Sequence, residues 1–269
     1  MEFLHYRDLA KTESVFPISA DWGQGRSIFG GLSAALVLVH IEANTDLAAR
    51  DLRTVNIHFC GAVTPEEPCE FRHQVLSEGR SVVQIEGQLL QGGEVKTAMV
   101  ACFSTQRVSA IEVDCSNKQF PVAAADTAEM NFAFKQGSTP HFVSYFDLRQ
   151  TNNNLPFTGS DHSQINGWMR YFRPSEALND ASILALIDAW PPAVLPMMRS
   201  RAPSSTITWN VEFMHPRAPL EVEAMLYYEC IAIQAGQGYA HTEAKIYHPN
   251  GQLLALSRQM VGVYDKVTQ

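Results

Sequence analysis

A chain of 269 residues has room for two modest domains or one large one. With 46% hydrophobic and 18% charged residues it can bury a sizeable core, and no apolar run approaches the ~18 residues that would span a bilayer. The formal net charge of −8 argues against a nucleic-acid partner, which would want a basic face. A small anionic ligand needs only a few local arginines, and Arg26, Arg80, Arg199, Arg201 and Arg217 are available without any one standing out. The start, Met1 to Asp8, lacks the basic and apolar stretches of a signal peptide. Five cysteines (Cys60, Cys69, Cys102, Cys115 and Cys230) form no Cys-x-x-Cys pair, so reduced thiols in a cytoplasmic protein are expected.

Residues 1 to 25 read as a short strand-like start followed by the turn signals Asp21-Trp22-Gly23-Gln24-Gly25. Phe29-Gly30-Gly31 then precedes Leu32 to Ile41, where eight of ten residues are apolar and lie all round the helical wheel. Such a helix, from about Gly31 to Glu42 with Asn44 as its stop, has to be buried on every side. The glycines let the backbone approach a ligand and leave N–H groups at the helix start for an acyl or phosphate oxygen. Taken alone, a core helix with a glycine turn is the simpler reading of them. From Leu52 the chain turns β-like. Leu52–Phe59, Cys69–Ser77, Ser81–Gln91 and Glu94–Gln106 read as antiparallel strands, with Gly92-Gly93 as a hairpin turn and Val95, Thr97, Met99, Ala101 and Phe103 on one face.

Between about Arg107 and Pro140 the periodicity fades, and Val122-Ala123-Ala124-Ala125 and Gly137-Ser138-Thr139-Pro140 read as a connector with a short helical piece. The expected division is therefore a first domain over 1–108, a connector over 109–140 and a second domain over 141–269. In the second domain His141–Arg149 and Gln164–Phe172 read as strands and Asp180–Trp190 as a helix that Pro191-Pro192 breaks. The β part that follows repeats the first. Asn56-Ile57-His58-Phe59 answers Asn210-Val211-Glu212-Phe213, and Pro65 answers Pro219, at an offset of 154 (59 to 213). The turn Gly92-Gly93 answers Asn250-Gly251 at 158 (93 to 251), so about four extra residues are expected around Gly236-Gln237-Gly238. A repeat this long is a duplicated domain.

Where the copies differ, the second gains polar groups. Thr206 stands where the first copy has Leu52, Gln259 where it has Ala101, and Asp188 is an acid in an apolar helix whose first-copy partner has none between Leu32 and Ile41. A buried carboxylate is costly unless paired or used, and in a pocket it can hold a water as general base. Each residue also has a plainer reading. Asp188 could be solvated or capping, Thr206 alternates with Thr208, Asn210 and Glu212 on what could be a solvent face, and Gln259 could satisfy a backbone group.

Several stretches carry a resemblance: Phe29-Gly30-Gly31, Ala185-Leu186-Ile187-Asp188, Thr206 to Phe213, and Asn250 to Gln259. On these the chain resembles the acyl-CoA thioesterase II (TesB-like) family over nearly its whole length. The resemblance implies an α+β fold of two tandem hotdog domains, each a long helix wrapped by an antiparallel sheet and pseudo-twofold related, a double hotdog. It also implies hydrolysis of acyl-CoA thioesters, a role in fatty acid metabolism, and Asp188, Thr206 and Gln259 as the residues that position the hydrolytic water. Gly30 and Gly31 would stabilise the oxyanion, with Asp188 acting as base or nucleophile. Where the family often has an Asp-His pair after the threonine, this chain has Thr208-Trp209, and the usual His-Arg-Pro reads Met214-His215-Pro216-Arg217.

Two other readings stand beside this one. A non-catalytic acyl-CoA-binding protein could keep the fold and lose turnover. A hotdog hydratase or dehydratase would want an Asp-x-Asn-Pro-x-His pattern, and the nearest pair is Asp161-His162 in a polar loop. No Gly-x-Ser-x-Gly elbow supports a serine hydrolase, and the nine histidines show no metal-ligand spacing. No cofactor, nucleic acid or membrane partner is expected. Exposed edge strands on such sheets commonly pair, so a homodimer is.

Overall fold

The apolar stretch after Gly30-Gly31 forms the helix on which the first half is built. In the computed structural model, which describes residues 2–113, 119, 125, 128 and 132–264, the chain divides into two compact units. The first comprises Met1–Val113, Phe134–Tyr145 and Leu178–Ala185, and the second Asp114–Ala133, Phe146–Ala177 and Leu186–Gln269. Cys115 and most of the connector stretch Val122-Ala123-Ala124-Ala125 lie outside the described residues.

The first unit runs α1 (Phe3–Thr12), β1 (Val15–Pro17), the two-residue strands β2 (Gly23–Gln24) and β3 (Ser27–Ile28), α2 (Gly30–Asn44), then β4 (Asp51–Phe59), β5 (Pro68–Glu78), β6 (Val82–Gln91) and β7 (Glu94–Ser104). The strand-like start expected at the N-terminus is instead the helix α1. Phe3, Tyr6, Arg7 and Ala10, at i, i+3, i+4 and i+7, are its buried stripe, and it packs on α2. Tyr6 is fully buried and its hydroxyl accepts a hydrogen bond from Ser19 N–H at 2.8 Å.

Helix α2 is buried without a break from Gly31 to Ile41, as its all-round apolar wheel requires. The antiparallel sheet that it packs against has the order β1-β5-β6-β7-β4. Gly87 in β6 makes this approach possible: a Cβ there would lie 2.6 Å from both Val37 Cγ1 and Ile41 Cδ1. Each Leu, Val or Ile buried along α2 contributes about 1.5–3 kcal/mol relative to exposure. The Gly92-Gly93 hairpin has positive φ at both residues, 58° and 81°, which suits glycine in a two-residue turn.

The second unit contains β8 (Phe146–Gln150), β9 (Gln164–Tyr171), β10 (Ser204–Phe213), β11 (Leu226–Gly236), β12 (Tyr239–Tyr247) and β13 (Leu253–Val263). Their antiparallel order is β10-β13-β12-β11-β9-β8. The expected strand His141–Arg149 is shorter. Its first half, His141–Tyr145, is a 3-10 turn of the first unit, held by Phe142 stacked on Phe29 at 4.1 Å and Tyr145 on Trp22 at 4.2 Å. Helix α3 (Asp180–Ile187) straddles the division between the units. Asn179 caps its start: Asn179 Oδ1 accepts from Ser182 N–H at 2.8 Å, and Ser182 Oγ accepts from Asn179 N–H at 2.7 Å. The helix ends at Ile187, three residues earlier than expected, because Pro191-Pro192 disfavours helical backbone just before it. Asp188 therefore stands in the turn after α3.

The duplication extends to irregularities. The β4–β7 ladder slips between Leu52 and Thr54, and β10–β13 slips between Thr206 and Thr208. The β5–β6 ladder slips between Val75 and Ser77, and β11–β12 between Ala232 and Gln234. The bulged residues Arg53 and Ile207 are 154 apart (53 to 207), Leu76 and Ile233 157 apart (76 to 233). Three of the four extra residues hence lie in the β10–β11 connection and the fourth in the β12–β13 turn, not around Gly236-Gln237-Gly238. Cys60, Cys69, Cys102 and Cys230 are free thiols. Among the described residues no helix is long and apolar enough to cross a membrane.

Candidate active site

The bulge at Ile207 decides where Thr206 points. In a regular strand Thr206 would share a face with Thr208, Asn210 and the exposed Glu212. The slip instead pairs Thr206 with Val261 and Trp209 with Gln259. Residues directly opposite in an antiparallel pair share a face, so Thr206, Trp209, Gln259 and Val261 lie together. This is the inner face, equivalent to the one that α2 covers in the first unit. Trp209 is 1% exposed, and its Nε1–H donates to Ser257 Oγ at 2.9 Å.

On that face the three residues expected at the site meet. Thr206 Oγ1 donates to Gln259 Oε1 at 3.2 Å, and Gln259 Nε2 donates to Asp188 Oδ1 at 2.8 Å. The ionised carboxylate can only accept, so it takes the Gln259 amide nitrogen and leaves the amide oxygen to accept from the Thr206 hydroxyl. Asp188 and Thr206 are both half-buried, which leaves the carboxylate strong electrostatics without full desolvation. The relay orients a carboxylate; a carboxylate so held can accept a proton from a water.

Further groups of this face escaped the sequence reading. Thr242 is the cross-strand neighbour of Gln259, and Tyr228 and Cys230 lie on β11 beyond it. Burial pushes the Tyr228 phenol well above its usual range, with the charges of Cys230 and Asp188 adding to the effect. Burial likewise raises the Cys230 thiol to about 11, so it is inert as a nucleophile at neutral pH. Trp190, two residues beyond Asp188, stacks on Tyr228 at 5.9 Å. Alternation along Leu226, Tyr228, Cys230 and Ala232 could have flagged these residues, but aromatic and thiol side chains in such a row read as ordinary core.

Gly30 and Gly31 are the first two residues of α2, in the first unit, with Phe29 before them as a cap that offers no side-chain hydrogen bond. A Cβ on Gly31 would lie 2.5 Å from the Phe29 ring and 2.9 Å from the Ala185 carbonyl oxygen. Packing alone thus explains why Gly31 has no side chain, while the N–H groups of a helix's first turn remain available donors. Among the described residues no cluster of three or more His, Cys, Asp or Glu side chains could hold a metal ion.

Comparison with known proteins identifies the family and the fold. The profile of the acyl-CoA thioesterase N-terminal domain matches residues 18–106, and that of the acyl-CoA thioesterase C-terminal domain matches residues 119–263. Among solved structures, a conserved hot dog fold protein of unknown function from Alicyclobacillus acidocaldarius is similar at 21% identity, with a TM-score of 0.82 over 98% of this chain and 99% of its own. An acyl-CoA thioesterase II TesB2 from Mycobacterium marinum shows 20% identity and a TM-score of 0.75, over 99% of this chain and 100% of its own. A tesB protein from Mycobacterium avium subs paratuberculosis shows 15% identity and 0.74, over 98% of each. At such identities these structures speak for the fold. Among curated proteins, no match to the chain is found. With the two domain profiles met in order, and one of them spanning over half the sequence, the chain belongs to the acyl-CoA thioesterase family: it is a thioesterase built as a double hotdog.

Proposed function

We propose that this thioesterase hydrolyses acyl-CoA, using a water that Asp188, Gln259 and Thr206 hold and activate. The observation that carries the reading is the relay from Thr206 through Gln259 to Asp188, whose first-unit equivalents are Leu52 and Ala101. Asp188 takes a proton as the water oxygen attacks the thioester carbonyl carbon, and the carbonyl electrons move onto its oxygen. That oxyanion needs preorganised N–H donors, the role expected of Gly30 and Gly31. When the C=O bond re-forms the C–S bond breaks, and the proton held by Asp188 passes to the leaving sulfur. The products are free acid and the thiol of coenzyme A. Gln259 keeps the carboxylate in place, and Thr206 keeps Gln259 in place.

The test is thiol release from short, medium and long acyl-CoAs by the wild type and Asp188→Asn. A loss of about 10²–10⁴-fold in the variant, with folding retained, is the expected result for a general base. Equal rates would remove Asp188 from the mechanism, and no turnover by either protein would overturn acyl-CoA as substrate. A cytoplasmic homodimer belongs to the same reading; a monomer in sedimentation at micromolar concentration would overturn that part.

A further inference from the structure

Trp190, in the turn after α3, carries a buried indole N–H that no described residue accepts. The side chain is only 5% exposed, and its Nε1–H finds no hydrogen-bond partner among the described residues. Trp209 makes the contrast: its indole N–H, equally buried, is satisfied by Ser257. A buried donor without an acceptor is costly and rare in native proteins, so a specific one calls for a use.

Three neighbours pack against the ring. Tyr228 stacks on it with centroids 5.9 Å apart and planes 14° from parallel, and Phe132 lies 6.1 Å away at 38°. At Gly167 a Cβ would come within 2.6 Å of Trp190 Cη2, so β9 keeps a glycine where the indole needs room. Trp190 is also two residues from Asp188, and Tyr228, on which it stacks, is near enough to Asp188 to feel its charge. A desolvated donor packed on Tyr228 suits an oxygen acceptor that arrives with the ligand.

We propose that Trp190 Nε1–H binds an oxygen of the acyl group of the substrate, either the thioester carbonyl or an oxygen further along the chain. The inference rests on the acyl-CoA thioesterase reading above and adds a substrate-binding donor to it.

Trp190→Phe keeps a stacking ring and removes only the donor side of the indole. Thiol release is measured for wild type and variant on saturated acyl-CoAs and on 3-oxo and 3-hydroxy acyl-CoAs of equal length. The expected loss is about 10²-fold in kcat, typical of removing one oxyanion donor, with the melting temperature unchanged or raised. A loss common to all substrates assigns the thioester carbonyl; a loss confined to the oxygenated ones assigns the chain oxygen. Equal kinetics for the two proteins, or a lowered melting temperature with activity intact, would overturn the proposal, since the N–H would then serve the fold. The indole N–H resonances of the 15N-labelled wild type give a second reading, with the variant assigning Trp190. Saturation with an acyl-CoA analogue in which a methylene replaces the thioester sulfur should move the Trp190 resonance. Failure of the analogue to bind, or binding that leaves this resonance in place, would overturn the proposal. Should the wild type hydrolyse nothing on the panel, the catalytic reading falls while the resonance still decides the donor.

Discussion

Along the inner face of the first unit, Leu52, Val55, Phe71, Ile85 and Ala101 stand where the second unit has Thr206, Trp209, Tyr228, Thr242 and Gln259. Strand order and bulges are shared, so the backbone does not account for the difference. All five first-unit residues are at most 3% exposed and make an ordinary core. The second unit puts hydroxyls and an amide in the same places and arranges them around a carboxylate. Burying those groups costs free energy that their mutual hydrogen bonds only partly return. A fold that carries the cost in one copy and avoids it in the other has let its two inner faces diverge.

The sharpest way to break this contrast is to make the second unit resemble the first. Gln259→Ala copies Ala101 and strips Asp188 of its amide donor. Catalysis should fall by about 10²-fold or more in kcat, the scale of losing one preorganised donor. Thermal stability should change little, because a costly polar group leaves along with the packing. Steady-state thiol release beside a melting curve checks both, and an unchanged kcat would remove Gln259 from the relay.

The reverse exchange tests the other half. Leu52→Thr places a hydroxyl at a 1% exposed site where the opposite residue is Phe103 and the diagonal one Ala101. No equivalent of Gln259 meets it there, so an unpaired hydroxyl adds to lost packing, and destabilisation of about 2–4 kcal/mol should follow. Urea unfolding measures the loss, and kcat should stay at the wild-type value. A stable Leu52→Thr would mean that the first unit tolerates polar groups as readily as the second.

Thr206→Val removes the hydroxyl while keeping the branched shape. The Gln259 amide oxygen would then lose the donor that helps to hold it, and a loss of about tenfold in kcat, near 1.4 kcal/mol, is expected from one neutral hydrogen bond. An unaltered rate would show that Asp188 alone orients Gln259.

How far this contrast can be read without coordinates follows from its physics. The apolar wheel of α2 and the two-residue rhythm of the strands are local patterns, and both units announce them. The substitutions Leu52 to Thr206 and Ala101 to Gln259 are legible because duplication supplies an internal reference. The bulge at Ile207 is not legible, since register belongs to two strands at once, and it alone turns Thr206 inward. Helix α1 hid because its buried stripe is short and includes Arg7. Trp190 and Tyr228 hid because burial and use look alike in an aromatic residue. What marks Trp190 is a missing acceptor, which only coordinates reveal.

The smallest expected effect lies at the position equivalent to Cys230. There the first unit has His73, whose Nδ1 lies 3.2 Å from Nε2 of the buried His40 of α2. Burial lowers the His40 pKa below its usual 6.5, and the neighbouring His73 lowers it further, against a backbone hydrogen bond from the imidazole to Ala10 that raises it. An imidazole whose folded pKa is depressed binds fewer protons folded than unfolded. Its contribution to stability is therefore fully present above the unfolded pKa of 6.5 and is lost as pH falls below that value toward the folded pKa. Cys230, with its thiol raised to about 11, stays neutral throughout that window, so the second unit lacks this sensitivity at the equivalent position. Urea midpoints at about pH 8 and about pH 5.5, above and below the ordinary histidine pKa, should differ in the wild type. In His40→Leu the gap should narrow, because the buried imidazole that resists protonation is gone. A gap of the same size in both proteins would place the acid-sensitive element elsewhere and leave the histidine pair as packing.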